Sequence, residues 1–231
     1  MRKRKFFKDL LSFLALFLLI SCENKDSYLV KNTGKTNFYE IIFKDKNNST
    51  NIYRQSYHFL PVHKKFTTAI KNNGEFIVFT QQKNGISRIT YNGDQPIDFE
   101  SILPSHDSKR VIAFPILKGT EWETNDETTI KLIMGFDRIY KTELPFILNN
   151  KIIKTNETIT VNGKKVRNCI QISGYGKTSF IPGPPLDKIN IEIITKTWYT
   201  KDFGVVKYTR EEKSDSATTG NIFYNKTLLL D

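Results

Sequence analysis

Cys22 is the residue whose type and position most plainly imply chemistry. Leu19-Ile20-Ser21-Cys22 closes a hydrophobic run with a small residue and then a thiol. That order fits a bacterial lipobox, with cleavage between Ser21 and Cys22 and acyl chains, palmitate among them, on the new N-terminal cysteine. Each buried CH₂ adds about 0.8 kcal/mol to membrane attachment, so several chains together make a stable anchor. An ordinary signal peptide cut elsewhere would instead leave Cys22 a plain thiol. Glu23 follows, where enteric inner-membrane retention favours Asp. In a Gram-negative cell this points to the outer membrane.

Other reactive residue types are present without the spacing that chemistry needs. With Cys22 acylated, Cys169 has no partner for an intrachain disulfide. A nucleophilic Cys169 would need an activating base, and the histidines (His58, His63, His106) all lie far off in sequence, so a buried structural cysteine is expected. Gly34-Lys35-Thr36 and Gly176-Lys177-Thr178 resemble the end of a phosphate-binding loop. That loop needs a glycine five residues earlier, where Leu29 and Gln171 stand, so both triplets read as turns. Ser105-His106-Asp107 has the residue types of a hydrolase triad, but triad members meet through the fold rather than as neighbours. His58 and His63 share neither a helix face nor a strand face, so no metal site is expected. Glu211-Glu212 reads as a solvated pair. The sequence calls for no cofactor and no catalytic residue, and an envelope hydrolase is a remote alternative.

The elements around these residues begin with the leader. Met1-Arg2-Lys3-Arg4-Lys5 is basic, and Leu10 to Ile20 is apolar apart from Ser12, which predicts a signal helix over residues 1–21. A membrane span needs about 20 apolar residues, and Glu23-Asn24-Lys25-Asp26 ends the run well short of that. Removing the leader takes away Arg2, Lys3, Arg4, Lys5 and Lys8 against Asp9, so the formal charge falls from +11 to +7. The remaining lysines are scattered, which gives a solvated surface or weak attraction to an anionic membrane, and nucleic acid is not an expected partner. Residues 22–36 read as a tether.

Beyond the tether, the predicted fold is all-β: mainly antiparallel meander sheets, as a curved sheet or a sandwich. Residues 37–231 form the β-rich domain, which could divide into subdomains 37–108 and 109–231 at the turn-rich stretch 94–110. Asn73-Gly74, Asn84-Gly85 and Asn92-Gly93 punctuate runs rich in β-branched and aromatic residues. Because both residues tolerate the positive φ of a type I′ turn, residues 66–91 are expected to form a meander. The second half begins at 111–122, and further strands are expected at 128–134, 138–144, 152–161, 166–173, 189–200, 205–212 and 221–230, with a loop containing Gly174, Gly176 and Pro182–Pro185. Ile189, Ile191 and Ile193 alternate with Asn190 and Glu192, the period of a sheet buried on one face. Seventeen Phe and ten Tyr serve such a core, and a surplus could line an apolar cavity.

Three segments of the second half carry a family resemblance. Phe114-Pro115-Ile116-Leu117-Lys118-Gly119-Thr120-Glu121-Trp122 resembles a Phe-Pro-Leu-x-x-Gly-x-x-Trp motif. Val161-Asn162-Gly163 through Cys169-Ile170-Gln171-Ile172 resembles a Val-Pro-Ala-Gly-Thr-Phe-x-x-Cys-Leu-x-Val hairpin. Trp198-Tyr199-Thr200-Lys201-Asp202-Phe203-Gly204-Val205-Val206-Lys207 resembles Trp-Tyr-Ala-Pro-Gly-Val-Gly-Leu-Val-Lys. These motifs occur together in a group of uncharacterised bacterial envelope lipoproteins. The second motif lacks its proline here, and Thr200–Phe203 replaces the Ala-Pro-Gly-Val turn. The resemblance implies an architecture of turn glycines, core aromatics and a buried cysteine, and it brings no catalytic residues.

Residues and resemblance together set the functional expectation: a lipid-anchored, non-catalytic binding or structural module of the bacterial envelope. Its partners would be the membrane, through acyl chains on Cys22, and an envelope protein or a lipid ligand. The alternative is a periplasmic carrier or sensor of a lipid-like apolar ligand.

Overall fold

A computed structural model describes residues 34–47, 49–62, 66–91, 108–133, 139–183 and 187–230. The expected signal helix, Ser21, Cys22 and the tether as far as Thr33 lie outside these residues. So do Asn92-Gly93, most of the 94–110 stretch, and Ser105-His106-Asp107.

The described chain is all-β, without a helix. Its strands are β1 (Thr36–Lys44), β2 (Thr50–Phe59), β3 (Phe66–Lys71), β4 (Phe76–Gln82), β5 (Gly85–Tyr91) and β6 (Lys109–Ala113), then β7 (Glu121–Ile133), β8 (Ile139–Val161), β9 (Lys164–Phe180), β10 (Ile189–Thr200), β11 (Gly204–Ser214) and β12 (Ile222–Leu229). They form one antiparallel sheet in the order β6-β5-β4-β3-β2-β1-β12-β11-β10-β9-β8-β7. Nearly every neighbour in space is a neighbour in sequence, as hairpin connections require. The exception is β12, which returns to lie beside β1. Strands on both sides of residue 108 share this sheet, since β5 pairs with β6, and Ile86, Ile112, Trp122 and Ile152 share one core cluster.

The sheet curls until its ends meet. Trp122 Nε1 on β7 donates to the Arg110 carbonyl on β6 at 3.1 Å, Thr124 Oγ1 donates to the same oxygen at 3.2 Å, and Lys109 pairs with Asp126 at 3.0 Å. A seam of side chains therefore nearly closes the barrel, protecting two edges that would otherwise invite strand addition. Alternation decides which face turns inward. Asn37, Tyr39 and Ile41 are buried while Phe38 is 47 % exposed. Register carries the inner face from Ile41 to Lys226 on β12 and on to Tyr208 on β11. The outer face carries ion pairs such as Lys177–Glu192 and Lys213–Glu211.

Turn chemistry sorts the Asn-Gly pairs. Asn162 (φ 48°) and Gly163 (φ 79°) both take positive φ, the type I′ pattern, at the tip of the β8–β9 hairpin. In Asn73-Gly74 and Asn84-Gly85 only the glycine does. Several expected breaks are continuous strand instead. β8 runs through Pro145, joining the separate strands expected at 138–144 and 152–161. β9 runs through Gly174, Gly176, Lys177 and Thr178, so the second Gly-Lys-Thr triplet lies in a strand rather than a turn. The reason is packing: a Cβ at Gly176 would sit 2.6 Å from Phe146 Cδ2, and glycine lets the strands approach. The tether also ends early, because Gly34 N donates to Phe59 O and Phe59 N to Lys35 O.

Candidate functional site: the barrel lumen

The lumen is layered along the barrel axis. One end is an apolar plug. Val206 and Leu228 pack there with Tyr39 and Ile77, and the β8–β9 hairpin folds over them. Asn162 Nδ2 fastens the hairpin tip by donating to Leu228 O at 3.0 Å. Cys169 lies within this plug, fully buried, with its Sγ 3.7 Å from Val166 O. Burial, with Glu157 nearby, pushes its thiol up to about 11. A thiol so placed is structural rather than nucleophilic.

The opposite end holds a cavity of about 540 Å³, within the usual size of ligand sites. Phe43, Ile130, Ile191 and Ile222 give it apolar walls, and the Asp45–Asn47 and Thr219–Gly220 segments form its rim. Lys46 Nζ donates to Thr218 O at 2.7 Å and ties the two rim segments together. Its floor is charged. Arg210 on β11 reaches across to β7, donating to Asp126 Oδ2 at 2.8 Å and to Glu127 O at 2.8 Å, and it also binds Glu212 Oε1 at 2.7 Å. Thr128 Oγ1 donates to the other Glu212 oxygen at 2.5 Å. Burial opposes ionisation of Asp126, but Arg210 and Lys109 outweigh it and hold the carboxyl below its ordinary range. Glu212 is therefore a bonded floor residue, not half of a solvated pair. Only Glu211 faces outward, toward Lys213.

Between cavity and plug lies a layer of tyrosines and cations. Tyr208 and Tyr224 meet edge to face, centroids 5.8 Å apart. Beneath them the Lys226 ammonium sits 3.7 Å from the Tyr57 ring centroid and 4.1 Å from that of Tyr39. Those two rings are themselves T-shaped at 5.2 Å, and Tyr39 OH donates to Val205 O at 2.8 Å. Burial drives the Lys226 amine well below the usual lysine range, and Arg88 and Lys71 push it the same way. Burial likewise raises Tyr39, Tyr57 and Tyr224, so all three hydroxyls stay protonated.

The candidates read from sequence scatter. His58 faces outward, its Nδ1 3.0 Å from Thr36 Oγ1, while His63 and His106 lie outside the described residues. Among the described residues no three metal-ligating side chains come together. The positions of the three motif segments serve architecture. Gly119, Gly163 and Gly204 take positive φ in turns, Trp122 and Tyr199 are core, and Trp198 Nε1 donates to Glu157 at 3.0 Å. Of the lumen residues, Arg210, Glu212 and Lys226 had a sequence signal, and Arg88 and Asp126 had none. Val206-x-Tyr208-x-Arg210-x-Glu212 and Tyr224-x-Lys226-x-Leu228 put charge in phase with apolar residues.

The fold and lumen define the class: an all-β, nearly closed twelve-stranded barrel whose interior combines an apolar plug with bonded charges and an end cavity. No family model matches the chain, and neither a curated protein nor a solved structure matches it.

Proposed function

We propose that this chain is a lipid-anchored binding module of the bacterial envelope, held by acyl chains on Cys22, that takes an apolar or amphipathic ligand in its end cavity. The cavity carries the reading. Its walls are apolar, its size suits a small ligand, and its charged floor is neutralised internally by Arg210 and Lys109 against Asp126 and Glu212. An apolar pre-formed pocket with a few fixed polar groups is the ordinary design of a ligand site. The lipobox and the resemblance to envelope lipoproteins support the location, and the outer membrane is its place in a Gram-negative cell. The module works by binding rather than catalysis.

Two experiments test this. Metabolic labelling with an alkyne-bearing palmitate should mark the protein and should fail on Cys22→Ala. An apolar fluorophore such as N-phenyl-1-naphthylamine should brighten on binding, with at least a tenfold loss in Ile222→Arg, which places a charge at the mouth. Equal binding by a correctly folded Ile222→Arg would remove the cavity from the account.

A further inference from the structure

Inward-facing charges in the lumen do not balance. Lys71 is paired with Glu75, and Lys109, Arg210, Asp126 and Glu212 form one network. Lys226 is left facing two tyrosine rings, and the charges that act on it, Arg88 and Lys71, are both positive. Among the described residues no carboxylate approaches it. Register sets Arg88 on β5 opposite Phe79, whose ring packs against the inner core, so Arg88 lies on the face that turns toward the lumen.

Lys226 is half-buried, and folded proteins hold an uncompensated cation away from water chiefly where a partner supplies the missing charge. The geometry points to an anion site in the lumen, in which Lys226 and Arg88 hold a carboxylate or phosphate group of a bound ligand against the Tyr39 and Tyr57 rings. Charge-assisted hydrogen bonds from an ammonium and a guanidinium are the strong form of anion recognition. The layer is reached from the side. β2 pairs with β3 only over Tyr57–Phe59, and its Thr50–Arg54 portion is exposed on both faces. The described sheet therefore opens beside Tyr53, next to Tyr57 and Lys71. This site is separate from the end cavity, from which the Tyr208–Tyr224 pair divides it, and it does not rest on the cavity reading.

The test follows the Lys226 side chain by ¹³C-lysine NMR, its signal assigned by loss in Lys226→Met, while pH is varied. Inorganic phosphate and decanoate are the probes, and decanol is the neutral control. One or both anions should raise the Lys226 midpoint by about one pH unit or more, since an adjacent negative charge favours the ammonium. Lys226→Met should bind that anion at least tenfold more weakly, Lys226→Arg should retain binding, and decanol should not move the midpoint. A response to phosphate alone identifies a free anion as the source, and a response to decanoate alone identifies an amphiphile's head. A midpoint that neither anion moves overturns the site, as does full anion binding by Lys226→Met.

Discussion

Arg210 Nη1 lies 2.8 Å from Asp126 Oδ2, joining β11 to β7 across the lumen although three strands separate them around the sheet. Both side chains are more than four-fifths buried, and the pair ties β11 to β7 at the cavity end.

Asp126→Asn should therefore be costly, because it leaves Arg210 and Lys109 short of a counter-charge. The expected loss is about 3 kcal/mol, the typical penalty for breaking a buried pair. Urea unfolding checks the value. The pH dependence has a defined sign. Asp126 is held below its unfolded value of about 3.9, so its contribution is present above that pH and is lost as pH falls through the folded value. Asp126→Asn should flatten this part of the acid limb.

Lys226 is expected to behave in the opposite way. Its amine is depressed in the fold by burial, Arg88 and Lys71, and it faces Tyr39, Tyr57 and Tyr208. The unfolded chain then binds more protons, so stability should rise with pH from the folded value toward about 10. Above about 10 the raised tyrosines reverse the trend, because their protonated hydroxyls are favoured by the fold. Lys226→Met should remove the rise and stabilise the protein near neutrality by about 1–2 kcal/mol. Calorimetric melting between pH 7 and pH 10 measures both effects. A destabilised Lys226→Met would mean that the ammonium's contacts with the two rings outweigh its burial.

Strand boundaries and turns were readable where local chemistry decides them. Asn162-Gly163 needs positive φ at both positions, and Asn and Gly supply it. The all-β class followed from the same kind of signal. Gly174 and Gly176 misled for a tertiary reason: loops and crowded strand interiors both select glycine, and Phe146 on a different strand makes the difference. Glu212 was equally hidden. In sequence it sits beside Glu211 in a charged run, and only the β10–β11 register, which pairs it with Ile193, turns it inward. The site is assembled from β1, β2, β5, β7, β11 and β12, and pairings across such sequence distances are not encoded locally.

Gly176→Ala tests the crowding argument. The new methyl would press on the Phe146 ring at 2.6 Å and on Ile147 O at 3.1 Å. A loss of about 1–3 kcal/mol is expected, as for other overpacked interiors, and denaturant unfolding measures it. Phe146→Leu in the same chain should recover part of the loss if the ring is what the methyl meets.

The seam can be opened selectively. Trp122→Phe keeps an aromatic ring in the core but removes the donor to Arg110 O, which still accepts from Thr124. The expected cost is about 1 kcal/mol. Hydrogen exchange should show faster opening over β6 and the start of β7, with β10–β12 unchanged. Uniform acceleration across the sheet would show that the seam is not a separate unit.

Native mass spectrometry on residues 24–231, expressed in the periplasm and purified without detergent, shows whether the end cavity holds a ligand. This form retains every described strand. A ligand-binding cavity should give a reproducible added mass that organic solvent releases and that Ile222→Arg no longer carries. A clean unliganded mass, unchanged after incubation with membrane lipid extract, would contradict a ligand-binding cavity and leave a scaffold that acts through protein contacts at the membrane.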